Sequence, residues 1–193
     1  FHQVNAYEYR DEIHLDLVCY DNPNIIEGLA NHFSSTRSQI NEDQFSTRLE
    51  RFRLSLTKCQ IQSEVIFSNF IEFPRINERM DGKNYQYVYL IDPRQDTLLS
   101  DIRPIYKINT QTKQFLQWSE PNCYPGEPVF VASPEAREED EGVVLSIIFN
   151  KNANNSFLLT LDAKTFREIA RANVPHKIPA GLHGQYFSQP SVN

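Results

Sequence analysis

Four short strand-like runs recur at nearly constant spacing, and no other feature of the sequence restricts the fold so tightly. The first series is "EFPRIN" from Glu72, "YQYVYLIDP" from Tyr85, "IRPIYKINTQT" from Ile102 and "FLQWSE" from Phe115. The second is "EPVFVAS" from Glu127, "GVVLSIIFN" from Gly142, "SFLLTLDAKT" from Ser156 and "REIARANV" from Arg167. Glu72 and Glu127 stand 55 positions apart, and the turns opening at Asn109 and Asp162 stand 53 apart. The runs are rich in β-branched and aromatic residues and are separated by Asn, Asp, Pro and Gly clusters, the pattern of antiparallel strands and hairpins. Four antiparallel strands repeating at this interval make a β-propeller blade.

The fold class that follows is all-β: a partial β-propeller of about three blades with a short helical insertion. One further period from Glu127 ends beside His183. Upstream the spacing is longer, because His2 precedes Glu72 by 70 positions. The stretch "NPNIIEGLANHFSSTRSQINEDQFSTR" accounts for the excess. Asn22 and Pro23 suit a cap and first turn there, and Ile25, Ile26, Leu29, Ala30 and Phe33 give the segment the chain's best helical pattern.

The first strand of each blade lines the propeller axis, so residues at equivalent positions near its start converge. His2, Glu72, Glu127 and His183 occupy those positions. Two imidazoles and two carboxylates aimed at one axis suit a metal site with its supports. Glu72 and Glu127 lie in apolar runs, "FIEFP" and "GEPVFV", where an unpaired charge is costly to bury, so each requires a partner. His14 belongs to an alternating strand, while His32 and His176 carry no assigned role. The acidic run "EAREEDEG" from Glu135 reads as a solvated turn; its spacing lacks the regular oxygen ligands of a calcium loop. "NNS" at Asn154 reads as a turn.

Composition excludes some functions. The formal charge of -6 arises from 25 acidic and 19 scattered basic residues, so binding to nucleic acid is not expected. Cys19, Cys59 and Cys123 form no C-x-x-C pair and read as thiols in a reducing, cytoplasmic setting. No apolar run approaches the ~20 residues of a membrane span. A start directly on a strand, without Met, suggests a piece of a longer protein.

"FHQVNAYE", "IEFPRIN", "YPGEPVFV", "EEDEGVVLSIIF", "LLTLDAKTFREIARANVP" and "IPAGLHGQYF" resemble, in this order, the carotenoid cleavage oxygenase family. The similarity is to its animal branch of β-carotene oxygenases and the retinal pigment epithelium isomerohydrolase. It extends over nearly the whole chain and is weakest around residues 24 to 47. The resemblance implies a seven-bladed propeller with a helical cap, holding Fe(2+) on its axis by four histidines. Three of those rings are supported by glutamates. By position, His2 corresponds to the third histidine and His183 to the fourth, with Glu72 and Glu127 as their respective supports. Residues 1–193 then represent the C-terminal part of a single propeller domain, and the N-terminal part of the same protein is a required partner.

For the complete enzyme the resemblance implies O2-dependent scission of a conjugated double bond in a carotenoid, such as β-carotene, or an apocarotenoid, giving aldehydes such as retinal. Two alternatives are a retinoid isomerohydrolase acting on retinyl esters and a non-catalytic propeller scaffold. A polyene substrate requires an apolar tunnel, for which Phe70, Phe73, Tyr124 and Phe130 are candidates. Peripheral association with a membrane is also implied, and the segment from Ile25 to Phe33 could contribute to it. These residues alone are expected to be inactive.

Overall fold

The computed structural model describes residues 2–26, 46–94, 102–179 and 181–188. Among them the strands form three consecutive antiparallel sheets, each following chain order. The first contains β1 (Gln3–Tyr9), β2 (Glu12–Tyr20), β3 (Thr47–Ser55) and β4 (Gln60–Ser68). The second contains β5 (Glu72–Arg75), β6 (Tyr87–Ile91), β7 (Ile105–Asn109) and β8 (Phe115–Trp118). The third contains β10 (Val129–Ala132), β11 (Gly142–Asn150), β12 (Asn155–Asp162) and β13 (Glu168–Val174). The short strand β9 (Cys123–Pro125), which the repeat does not reveal, adds to β11.

The insertion lies between β2 and β3. The Asn22 side chain accepts the Asn24 N–H at 3.0 Å, and the Ile26 N–H bonds the Pro23 carbonyl at 3.0 Å, so a helical turn begins as the cap residues predict. The rest of the expected helix, including Leu29, Ala30, His32 and Phe33, lies outside the described residues.

Alternation along the middle sheet explains how the blades stack. Val88, Leu90, Tyr106 and Ile108 pack toward the first sheet with Tyr7, Val18, Leu49 and Ile66. Their neighbours Tyr89, Ile91 and Ile105 pack toward the third with Phe130, Val144, Ile148, Phe157, Leu159 and Leu161. Successive side chains point to opposite faces of a strand, so a run apolar at every position is buried on both sides. The outer faces of the first and third sheets differ. Leu15, Leu17, Phe52 and Leu54 on one, and Val143, Leu145, Ile147 and Leu158 on the other, remain partly or largely exposed.

A buried ion pair stands at each blade junction. Asp16 of β2 accepts from Arg51 of β3 at 2.8 and 2.7 Å and from the Tyr85 hydroxyl at 2.5 Å, tying the first sheet to the second. Lys107 of β7 donates to Asp140 at 2.6 Å and to the Ala163 carbonyl at 2.7 Å, tying the second to the third. The Lys107 ammonium also lies 4.0 Å from the centre of the Tyr87 ring.

The acidic run is therefore more than a solvated turn. Asp140 is buried, and the Glu139 carboxylate accepts the backbone N–H groups of Gln86 at 2.8 Å and Tyr87 at 2.7 Å. A cation and unpaired donors on the adjacent blade draw these carboxylates inward. His14 is a buried sheet residue between Tyr7 and Glu12, 3.2 Å from each.

Candidate metal centre

His2 directly precedes β1, and its carbonyl accepts the Val18 N–H at 2.9 Å, so the strand ladder fixes its backbone. Glu72 opens β5. Phe73 follows with φ of 54°, in the left-handed region, where a non-glycine residue is strained. Glu72 pairs with Ile91 and Arg75 with Tyr89, so three steps along β5 span two along β6. Pro74 has no N–H to offer, which this edge strand tolerates. Such a bulge re-aims a side chain.

The Glu72 carboxylate, 6% exposed, meets His2 Nδ1 at 2.5 Å. It also accepts the Tyr20 hydroxyl at 2.6 Å and the Phe73 N–H at 2.9 Å. Burial pushes its pKa upward, but hydrogen bonds from His2 and Tyr20 act the other way and hold it below the usual carboxylate range. Burial and the adjacent Glu72 carboxylate raise the Tyr20 phenol, so its proton stays on the oxygen.

His183 belongs to residues 181–188, which carry no regular secondary structure. Its Nδ1 lies 3.0 Å from Glu127 Oε1. Glu127, two residues before β10, is only 4% exposed at the side chain, whereas His183 is 59% exposed. The other Glu127 oxygen accepts the Gly184 N–H at 2.7 Å and the Arg75 Nη1 at 3.3 Å.

The two imidazole centroids are 5.3 Å apart and the rings are nearly perpendicular at 84°. A carboxylate ion only accepts, so each Nδ1 carries the proton and, in the neutral ring, the lone pair belongs to Nε2. Two such rings bonded to one ion at about 2.1 Å have centroids roughly 4.6 to 5.3 Å apart, for angles between square and tetrahedral. The observed separation lies at the upper end of that range. The pair is not a complete cage: among the described residues no group of three or more His, Cys, Asp or Glu is arranged to hold a metal.

Of the aromatic candidates, Phe73 is beside the imidazoles, 5.5 Å from the His2 ring and 5.9 Å from the His183 ring. Phe70 lies beneath the Arg94 guanidinium at 4.2 Å. Tyr124 neighbours Phe149 at 6.1 Å and Arg103 at 5.9 Å. Phe130 is a core residue, 8% exposed and stacked on Tyr89 at 5.6 Å. Sequence reasoning missed Tyr20 and Arg75. Tyr20 closes β2, the strand paired with β1, which His2 precedes, and Arg75 lies three residues after Glu72; only strand pairing and the bulge bring them to the carboxylates.

Residues 1–188 match the family of the retinal pigment epithelial membrane protein. A Gallus gallus protein named β,β-carotene 15,15'-dioxygenase is 47% identical over 120 residues, covering 62% of this chain and 22% of that protein. A carotenoid isomerooxygenase of Galleria mellonella is 34% identical over 199 residues, covering 96% of this chain and 38% of its own length. The cobalt-substituted apocarotenoid oxygenase of Synechocystis superposes with a TM-score of 0.85 at 28% identity, over 98% of this chain and 39% of that one. The chain thus spans about two fifths or less of the length of these relatives. Three stacked antiparallel sheets, and a match that runs through almost every residue, make this chain a member of the retinal pigment epithelial membrane protein family of carotenoid oxygenases.

Proposed function

We propose that the chain is part of a ferrous-iron oxygenase that cleaves one conjugated double bond of a carotenoid or apocarotenoid. One observation carries this reading: two imidazoles, each held through Nδ1 by a buried carboxylate, lie edge to face with their centres 5.3 Å apart. His2 and His183 would hold the ion through Nε2, and the outer carboxylates would fix tautomer and ring angle while offsetting the cation's charge. When bound, ferrous iron supplies the redox chemistry by which O2 reacts. The double bond breaks and each carbon leaves as an aldehyde carbonyl bearing one oxygen atom. Phe73 contributes an apolar wall beside the imidazoles, suited to a polyene.

The remaining ligands would come from blades outside this chain. Support comes from the outer faces of the first and third sheets, whose partly exposed apolar residues sit at positions that are buried on both faces of the middle sheet. Neighbouring blades would cover them as the middle sheet is covered. The piece alone would hold the ion weakly and turn over no substrate. We further assign the protein to the cytoplasm, at a membrane surface where its apolar substrate partitions; the three free thiols support a reducing compartment.

The test uses the full-length protein reconstituted anaerobically with ferrous iron. Supplied with β-carotene and O2, it is expected to consume O2 and release retinal or another apocarotenal. Release of retinol from a retinyl ester without O2 uptake would favour an isomerohydrolase. Failure to take up stoichiometric iron would favour a scaffold.

A further inference from the structure

We infer that Arg75 is the positioning residue that locks His183 into the metal centre, an inference resting on the metal-binding reading above. The two histidine-carboxylate pairs are built differently. Glu72 accepts the Tyr20 hydroxyl and the Phe73 N–H beside His2, and His2 itself is fixed by the β1–β2 ladder. His183 has no strand to hold it. Its segment is exposed from Gly181 onward, and its side chain is the more exposed of the two.

Arg75 supplies the missing anchor with a single guanidinium. Nη1 donates to the Gly184 carbonyl at 2.9 Å and to Glu127 Oε2 at 3.3 Å. Nη2 donates to Gln185 Oε1 at 2.8 Å and lies 3.5 Å from Glu78 Oε1. Gln185 donates in turn to that Glu78 oxygen at 2.5 Å. Thus the second blade grips the residues immediately after His183 and, through the same fork, the carboxylate that orients its ring. A planar guanidinium with fixed donors can satisfy a carbonyl, a carboxylate and an amide together; an ammonium on a flexible stem cannot hold that geometry.

The bulge explains how Arg75 reaches both targets. Phe73 in the left-handed conformation sends Glu72 to His2, and the register change leaves Arg75 opposite Tyr89, at the end of β5 facing Glu127 and residues 184–185. One irregularity in one strand therefore serves both halves of the centre. Arg75 also carries a charge next to Glu127, so the carboxylate behind His183 shares its negative charge with a cation.

Co(II) binding and visible ligand-field spectra of the full-length protein test this, with Co(II) as the probe. Arg75→Gln is expected to weaken Co(II) binding by about 10- to 100-fold and to shift the ligand-field bands. Arg75→Lys should recover part of the affinity but not the wild-type bands, and Gln185→Ala, which removes its hydrogen bonds to Arg75 and Glu78, should weaken binding by about fivefold. Wild-type affinity and bands in Arg75→Gln would overturn the inference, even with a lower melting temperature of the metal-free protein, because that pattern marks a structural role alone. Should Arg75→Gln fail to fold, unchanged binding in Gln185→Ala and unchanged bands in Arg75→Lys would overturn it equally. Wild-type protein that binds no Co(II) would refute the metal reading itself.

Discussion

At the scale of single residues, the centre depends on which atoms hold protons. Glu72 accepts from His2, Tyr20 and its own neighbour's N–H, so most of its acceptor sites are engaged by fixed donors, which suits an orienter rather than a base. Glu72→Gln keeps the shape but presents a neutral amide to the ring, and is expected to weaken iron binding in the full-length protein by about 10- to 100-fold, read by anaerobic titration. Tyr20→Phe removes one donor and leaves the rest, so its expected loss is smaller, about fivefold in the same titration. The reverse order of effects would contradict the geometry. The histidines and glutamates were legible in the sequence because a repeat marks equivalent positions. Tyr20 and Arg75 were not, since neither occupies a repeated position and each acts through a strand register that periodicity does not encode.

At the scale of elements, the blades are held by apolar alternation and by two buried ion pairs. The Lys107–Asp140 pair is almost fully enclosed, with 4% and 7% of the side chains exposed. Lys107→Met leaves a buried carboxylate with its cation gone, and is expected to cost about 3 to 5 kcal/mol, whereas Lys107→Met combined with Asp140→Leu should recover most of that loss. Thermal melts of both variants check it; equal destabilisation would mean that the cation does other work.

Gly142 makes a second test. A Cβ there would lie 2.2 Å from the Val131 carbonyl oxygen and 3.0 Å from Ala132 Cα, so backbone must shift. Gly142→Ala should therefore destabilise the third sheet by about 1 to 3 kcal/mol, seen as a lowered melting temperature. Strands β5 to β8 and β10 to β13 were readable from their runs. β9 was hidden because three residues in "NCYPG" give too short a pattern. The acidic loop was misread because composition cannot show that Lys107 waits on the next blade.

At the scale of the whole molecule, a stack of three sheets has two outer faces that differ from the covered middle one. Leu15, Leu17, Phe52 and Leu54 on one end and Val143, Leu145, Ile147 and Leu158 on the other are only partly covered. Apolar faces of this kind mark contact sites. The 193-residue chain in isolation is expected to self-associate, as read by light scattering, and to retain no iron through gel filtration. Coexpression with the remaining blades should suppress both behaviours. The repeat gave the blade count, but the covering of the outer faces emerges only once the alternation of all three sheets is compared.

The most direct test of the account is anomalous diffraction at the iron absorption edge from crystals of the full-length protein. A single iron peak within bonding distance of Nε2 of both His2 and His183 is the predicted result. A peak bonded to only one of these rings, or none between them in iron-loaded crystals, would contradict the shared centre on which the proposed chemistry rests.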